Sequence, residues 1–166
     1  MVEAAGAGKR EFTHIDDQGR LKMVDVSDKD VTAREARAEA TVLVSEGTLE
    51  LISNQRIPKG NVYEAARLGG IMAAKRTWEL IPLCHPLQLT GIEIDFLEIR
   101  EKREIKISSC VKTRDRTGVE MEALVAVTHA ALTIYDMCKA VDRDMKVLNV
   151  QLTYKSGGKS GTYSRF

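Results

Sequence analysis

Two alternating runs joined by a four-residue link set the tightest constraint on how this chain can fold. Ile92, Ile94 and Phe96 alternate with Glu93, Asp95 and Leu97; Ile105, Ile107, Ser109 and Val111 alternate with Lys106, Ser108, Cys110 and Lys112. Period two is the strand repeat, and the short link Arg100–Arg103 allows only an antiparallel return. A sheet with one apolar face must bury it, so the rest of the chain has to supply a cover.

The flanking segments supply it. In Thr32–Ser45, Ala36, Ala38, Ala40, Val42 and Val44 alternate with Glu35, Arg37, Glu39, Thr41 and Leu43. Ala, Glu and Arg favour helix, but the alternation predicts a strand with a small-residue face. A short helix is expected at Glu46–Ser53. After Pro58 a longer one runs from Asn61, its N-cap, to Leu80, with Glu64 completing a capping-box pair and Pro82 ending it. Gly69 and Gly70 inside it point to close packing against a neighbour. Thr117 and Glu120 read as a second capping box, opening a helix that runs to about Lys139. The last strand, Met145–Lys155, is expected to turn Leu148, Val150, Leu152 and Tyr154 to one face.

The resulting order predicts an α+β, ferredoxin-like (β-α-β-β-α-β) domain, with an antiparallel sheet and the helices on one face. Residues 1–20 read as a mobile N-terminal arm, 21–155 as a single catalytic domain and 156–166 as a flexible Gly/Lys-rich segment. In the helix 118–139, Met121, Leu124, Val125, Val127, Leu132, Ile134 and Met137 cover most of the circumference. That predicts partners on more than one side, hence a homo-oligomer.

Formal net charge is +1, so an anion site must be a local cluster, and binding to nucleic acid finds no global field. An RNA-binding sheet also needs exposed aromatics, whereas Phe96 and Tyr154 fall on apparent core faces. The three cysteines, Cys84, Cys110 and Cys138, are widely spaced, which fits a reducing cytoplasm. Met1–Phe12 has no apolar run of a signal sequence, and no stretch approaches a membrane span.

Asp136 and Lys139 share a helix face. An isolated pair of this kind is usually a surface ion pair, but the apolar surroundings expected here favour an acid–base pair with mutually tuned pKa values. Glu122, fourteen residues earlier, and His129, seven earlier, lie near the same stripe. His129 reads as a core or interface residue, and Glu120 as the capping-box acid. In Ile81–Leu87 two prolines stiffen the backbone around Cys84-His85, which would present an imidazole for proton transfer or merely satisfy a loop carbonyl. Adjacent Cys and His make a poor zinc pair, so no metal site is expected. Lys59, Lys75, Arg76, Lys155 and Lys159 stand at element ends. Gly158-Lys159-Ser160 is not a P-loop, because Thr153 occupies the first glycine position, yet a glycine-rich segment with two lysines can fold over phosphates.

Eight segments in order resemble the MoaC family, the cyclic pyranopterin monophosphate synthases of molybdenum-cofactor biosynthesis: 12–16, 23–29, 58–60, 74–78, 81–87, 117–124, 131–139 and 155–161, within a match from about Phe12 to Tyr163. The resemblance implies a substrate, 3′,8-cyclo-7,8-dihydro-GTP, and loss of pyrophosphate. It also implies a homohexamer, a trimer of dimers, with interfacial active sites. It makes Asp136 catalytic with Lys139, and matches family lysines at Lys59 and Lys155. Substrate contacts fall on Leu83, Cys84, His85, Met121 and Glu122. From the chemistry, Lys59 and His85 are expected to assist proton transfer, and Lys155, Lys75 and Arg76 to hold phosphates. No cofactor is expected beyond, at most, a divalent ion riding on the triphosphate. A non-catalytic assembly protein would have no use for Asp136, Lys139, His85 and Lys59 together.

Overall fold

A computed structural model describes residues 14–165. Residues 1–13, most of the stretch read as a mobile arm, lie outside the described residues. The elements are β1 (Thr32–Leu43), α1 (Glu46–Ser53), α2 (Val62–Ala74), α3 (Thr77–Leu80), β2 (Leu89–Ile99), β3 (Glu104–Asp115), α4 (Glu120–Cys138), β4 (Lys146–Ser156) and β5 (Tyr163–Ser164). The strands form one antiparallel sheet in the order β2-β3-β1-β4-β5. This is the expected α+β, ferredoxin-like arrangement. The added strand β5 pairs Tyr163 with Lys155 and Ser164 with Tyr154.

The small-residue face of β1 is the centre of the core. Ala36, Ala38, Ala40 and Val42 are fully buried opposite Val111, Ser109, Ile107 and Ile105 of β3. Alanine rows let α4 lie close to the sheet, and Ser109 Oγ donates to the main-chain oxygen of Ala123 on α4 at 2.9 Å. Helix propensity loses here because the alternation buries a whole face. Gly69 and Gly70 serve the packing of α2 on α4. A β-carbon at Gly70 would stand 2.5 Å from Ile94 Cδ1 and 2.7 Å from Ala126 O. Gly70→Ala should therefore force the helices apart and cost about 1–3 kcal/mol. Gly47→Ala, with nothing within 4 Å, should be neutral or slightly stabilising. Urea midpoints of the two variants check this; equal midpoints would contradict it.

Three sequence expectations need correction. The helix expected over Asn61–Leu80 breaks at Lys75 and Arg76, where Arg76 N–H bonds back three residues to Ala73 O and the buried Thr77 hydroxyl bonds Ala74 O. The N-cap itself holds, with Asn61 Oδ1 accepting from Glu64 N–H. The second capping box does not form: Val119, 1% exposed, is the N-cap without a side-chain bond, so burial of this valine starts α4 too late for Thr117 to cap it.

The third concerns β4. Its register against β1 slips twice, between Glu39 and Thr41 and between Arg37 and Ala38. Asn149, at φ 55°, stands at the first slip. Each bulge reverses the side-chain phase. Val147 and Leu152 therefore pack on the core, while Leu148 and Val150 are exposed. Tyr154 pairs with Arg37, which sits 5.2 Å over its ring, on the sheet face away from the helices. Lys155, paired with Ala36, is turned towards the helices.

Among the described residues no helix is long and apolar enough to cross a membrane.

Candidate active site

The two ends of α4 carry two different constellations. At its C-terminal end Asp136 receives one ammonium on each carboxylate oxygen: Lys139 Nζ at 2.6 Å on Oδ1 and Lys59 Nζ at 3.1 Å on Oδ2. Lys59 also donates to the main-chain oxygen of Asp136 at 2.8 Å. The loop around Pro58 and Gly60 delivers Lys59 across 77 residues of sequence. Lys139 and then Lys59 hold the Asp136 carboxyl below its usual value, and Asp136 in return raises Lys139. The apolar surroundings expected for this pair are absent in the single chain: the side chains of Asp136, Lys139 and Lys59 are 57%, 54% and 44% exposed. The cluster carries one net positive charge and presents ammonium protons beside a carboxylate, the elements of acid–base chemistry on an anionic substrate.

At the other end, α4 begins without a side-chain cap, and its first residue, Glu120, together with Thr117 and Gly118 ahead of it, borders a pocket of about 620 Å³. Lys29, Arg34, Arg116, Lys155 and Lys159 line it, against Asp30, Glu35 and Glu120. The surplus of cations suits a polyanion. Glu120 is no capping acid: its Oε1 lies 3.0 Å from Lys155 Nζ, which also donates to Ser160 Oγ at 3.0 Å. Among the described residues the buried side-chain polar atom without a hydrogen-bond partner is the Thr32 hydroxyl, and Thr32 borders this pocket.

Near the start of α4 stands the Leu83–His85 turn. Leu83 has φ 67°, a left-handed backbone that costs a branched residue about 1–2 kcal/mol, and this kink sets the aim of Cys84 and His85. His85 Nε2 lies 2.8 Å from Val24 O. A carbonyl only accepts, so Nε2 carries the hydrogen and Nδ1 is the acceptor of the neutral ring. Glu122 is 4% exposed, and burial raises its carboxyl to about 7. Burial and then the Glu122 charge push the Cys84 thiol up, which keeps it from acting as a thiolate nucleophile. Met121 precedes Glu122 and is half-buried.

Within one chain, then, Asp136, Lys139 and Lys59 come together, and Cys84 and Glu122 come together. The two groups are separated along α4 by about 21 Å at 1.5 Å per residue. Lys75 and Arg76, expected to hold phosphates, are exposed at the α2–α3 break and do not line the pocket. His129 is exposed, so it is not a core histidine. The sequence reading missed Lys29, Arg34 and Arg116. For Arg34 there was a signal: it continues the even-numbered row of Ala36, Ala38, Ala40 and Val42, and a charge on the helix-facing row of a strand must either pair or line a pocket.

Fold and site together define a class: a small ferredoxin-like α+β protein with a cation-lined pocket at one end of a central helix and a Lys–Asp–Lys cluster at the other. The chain belongs to the MoaC family, whose model matches residues 23–158. It is 56% identical over 154 residues to the cyclic pyranopterin monophosphate synthase of Pelotomaculum thermopropionicum, covering 93% of this chain and 91% of that one. The enzymes of the same name from Desulfatibacillum aliphaticivorans and a Thermoanaerobacter species are 53% and 55% identical, over 92% and 93% of this chain and 96% and 98% of theirs.

Proposed function

We propose that this chain is a cyclic pyranopterin monophosphate synthase, a lyase of molybdenum-cofactor biosynthesis. It converts 3′,8-cyclo-7,8-dihydro-GTP to cyclic pyranopterin monophosphate and releases pyrophosphate. The observation that carries this reading is the Lys59–Asp136–Lys139 cluster: residues named by the family motif from distant parts of the chain meet at one carboxylate. Relatives of this name at 53–56% identity support it.

The chemistry assigns the parts. Opening the purine imidazole ring and closing the pterin moves protons on and off nitrogen and oxygen. Both oxygens of Asp136 are met by ammonium groups, so it becomes a base when substrate displaces one of them, and that lysine then serves as the acid. His85 offers Nδ1 as a second acceptor, and Glu122, with its carboxyl at about 7, can donate a hydrogen bond to the heterocycle. At the phosphates, a ribose hydroxyl forms a bond to the α-phosphorus while the bond to the bridging oxygen breaks. Charge grows on departing pyrophosphate, and Lys155, Lys159, Lys29 and the α4 N-terminus would neutralise it. Lys75 and Arg76 would act on phosphates only from a neighbouring copy. The reaction needs no resident cofactor in this scheme.

The phosphate pocket and the acid–base cluster stand at opposite ends of α4, so we further propose that each active site is completed by a second copy, within a homohexamer built as a trimer of dimers. Exposed Leu68 and Met72 on α2 and Leu132 on α4 are apolar surface that such contacts would bury. We place the enzyme in the cytoplasm.

Incubation of the purified chain with 3′,8-cyclo-7,8-dihydro-GTP tests the reaction. Pyrophosphate and the oxidised, fluorescent pterin should appear together in equal amounts. Neither product from a folded protein would defeat the proposal and leave a non-catalytic assembly role.

A further inference from the structure

Three loops meet at the anion pocket, residues 29–30 before β1, 116–118 between β3 and α4, and the glycine loop 157–160 after β4, and the adjoining ends of β1, α4 and β4 complete its wall. Arg34 stands where they meet. Its Nε donates to Asp115 O and its Nη2 to Arg116 O, both at 2.9 Å. Its Nη1 lies against the glycine loop, so closely that a β-carbon at Gly158 would overlap it. Gly157 and Gly158 have φ of 97° and 73°, so glycine is required there for backbone shape as well as for space. Arg116, whose carbonyl Arg34 holds, donates from its own guanidinium to Ser27 O, next to Lys29 and Asp30 of the pocket wall. One side chain thus ties the turn before α4 directly, the glycine loop by contact, and the leading segment through Arg116.

We infer that Arg34 is a positioning residue for phosphate binding: its forked guanidinium sets the spacing of the three loops, so that Lys29, Lys155 and Lys159 converge on one anion. The alternative is that Arg34 contributes simply as one more positive charge. The two differ in what a lysine can do. Lysine keeps the charge but cannot donate to two adjacent carbonyls in a fixed plane while packing flat against a glycine loop. The inference rests on the pyrophosphate-releasing reading of the pocket.

The test is calorimetric titration of the intact protein with inorganic pyrophosphate, for the wild type and four variants. Arg34→Lys should weaken binding at least about tenfold and should match Arg34→Ala, because two charge-assisted bonds to carbonyls are lost in both. Gly158→Ala removes no charged group, yet should weaken binding comparably by displacing Nη1. Gly161→Ala is the control: φ there is 67°, but nothing stands within 4 Å, so it brings backbone strain without the overlap and should stay within about twofold of wild type. Thermal unfolding confirms that each variant is folded. If Arg34→Lys fails to fold, the Gly158 and Gly161 pair still decides. Wild-type affinity in Arg34→Lys, or equal losses in Gly158→Ala and Gly161→Ala, would overturn the inference while leaving the proposed function intact. No binding by the wild type would overturn both.

Discussion

Asp136→Asn should lower turnover by roughly 10³-fold or more, while the protein stays folded and binds pyrophosphate as before. Asparagine has the same shape and can still accept from one lysine, but it takes up no proton and pairs with neither ammonium. Loss of a general base typically costs two to four powers of ten. Stability should scarcely change, because all three side chains of the cluster are about half exposed and such pairs contribute little to folding. Pyrophosphate affinity should hold because Asp136 is proposed to act on the heterocycle, whereas the phosphates are held by Lys29, Lys155 and Lys159, which line the pocket. Single-turnover kinetics with a parallel titration of pyrophosphate checks both halves. Turnover within tenfold of wild type would remove Asp136 from the chemistry.

The second large effect is in folding. Burial raises the Glu122 carboxyl from 4.5 to about 7. Between these values the folded chain holds a proton that the unfolded chain has released. Stability therefore falls as pH rises from about 4.5 through 7, and levels off above, where both states are ionised. The shift corresponds to about 3 kcal/mol at 1.36 kcal/mol per pKa unit, an upper figure for a site reached by some solvent. Glu122→Gln keeps the shape without the ionisation. It should match wild type near pH 4.5 and exceed it by up to about 3 kcal/mol at pH 8. Urea unfolding at the two pH values makes the comparison; parallel pH profiles would show that Glu122 is solvated in the folded chain. The cost of keeping a carboxyl where its charge is disfavoured is intelligible if the group works near neutrality as a hydrogen-bond donor.

Where side chains alternate against a buried face, the fold was legible in the sequence. The row Ala36, Ala38, Ala40 and Val42 marked β1 against its own helix propensity, and the hairpin of β2 and β3 followed from its short link. Bulges carry no comparable signature. The first slip in β4 turns the even-numbered Leu152 to the core, and the second restores the original phase, so that Lys155 reaches Glu120 and Tyr154, two residues after Leu152, pairs with Arg37 on the opposite face. The outward Tyr154 does not turn the sheet into an RNA platform, since it lies beneath a cation with Glu35, Glu39, Glu93 and Asp95 on the same face. Caps were half legible: Asn61 caps α2, whereas Thr117 is overruled by burial of Val119. In the candidate site, spacing on one helix found Asp136 and Lys139, and the family resemblance added Lys59. The distance between this cluster and Glu122 was implicit in fourteen residues of helix, yet shared azimuth made them look like one site. Arg34 and Arg116 were missed because their work is done through main-chain carbonyls, which no residue pattern displays.

That distance leads to the most direct test of the account, which is subunit mixing. Asp136→Asn and Lys155→Ala should each be inactive, one at either end of α4. Unfolded together in equal amounts and refolded, they should regain about one quarter of the turnover of wild type treated in the same way, since one interfacial site in four would draw an intact end from each variant. No recovery, with the wild-type control fully active, would contradict a site shared between copies and place the whole reaction within one chain.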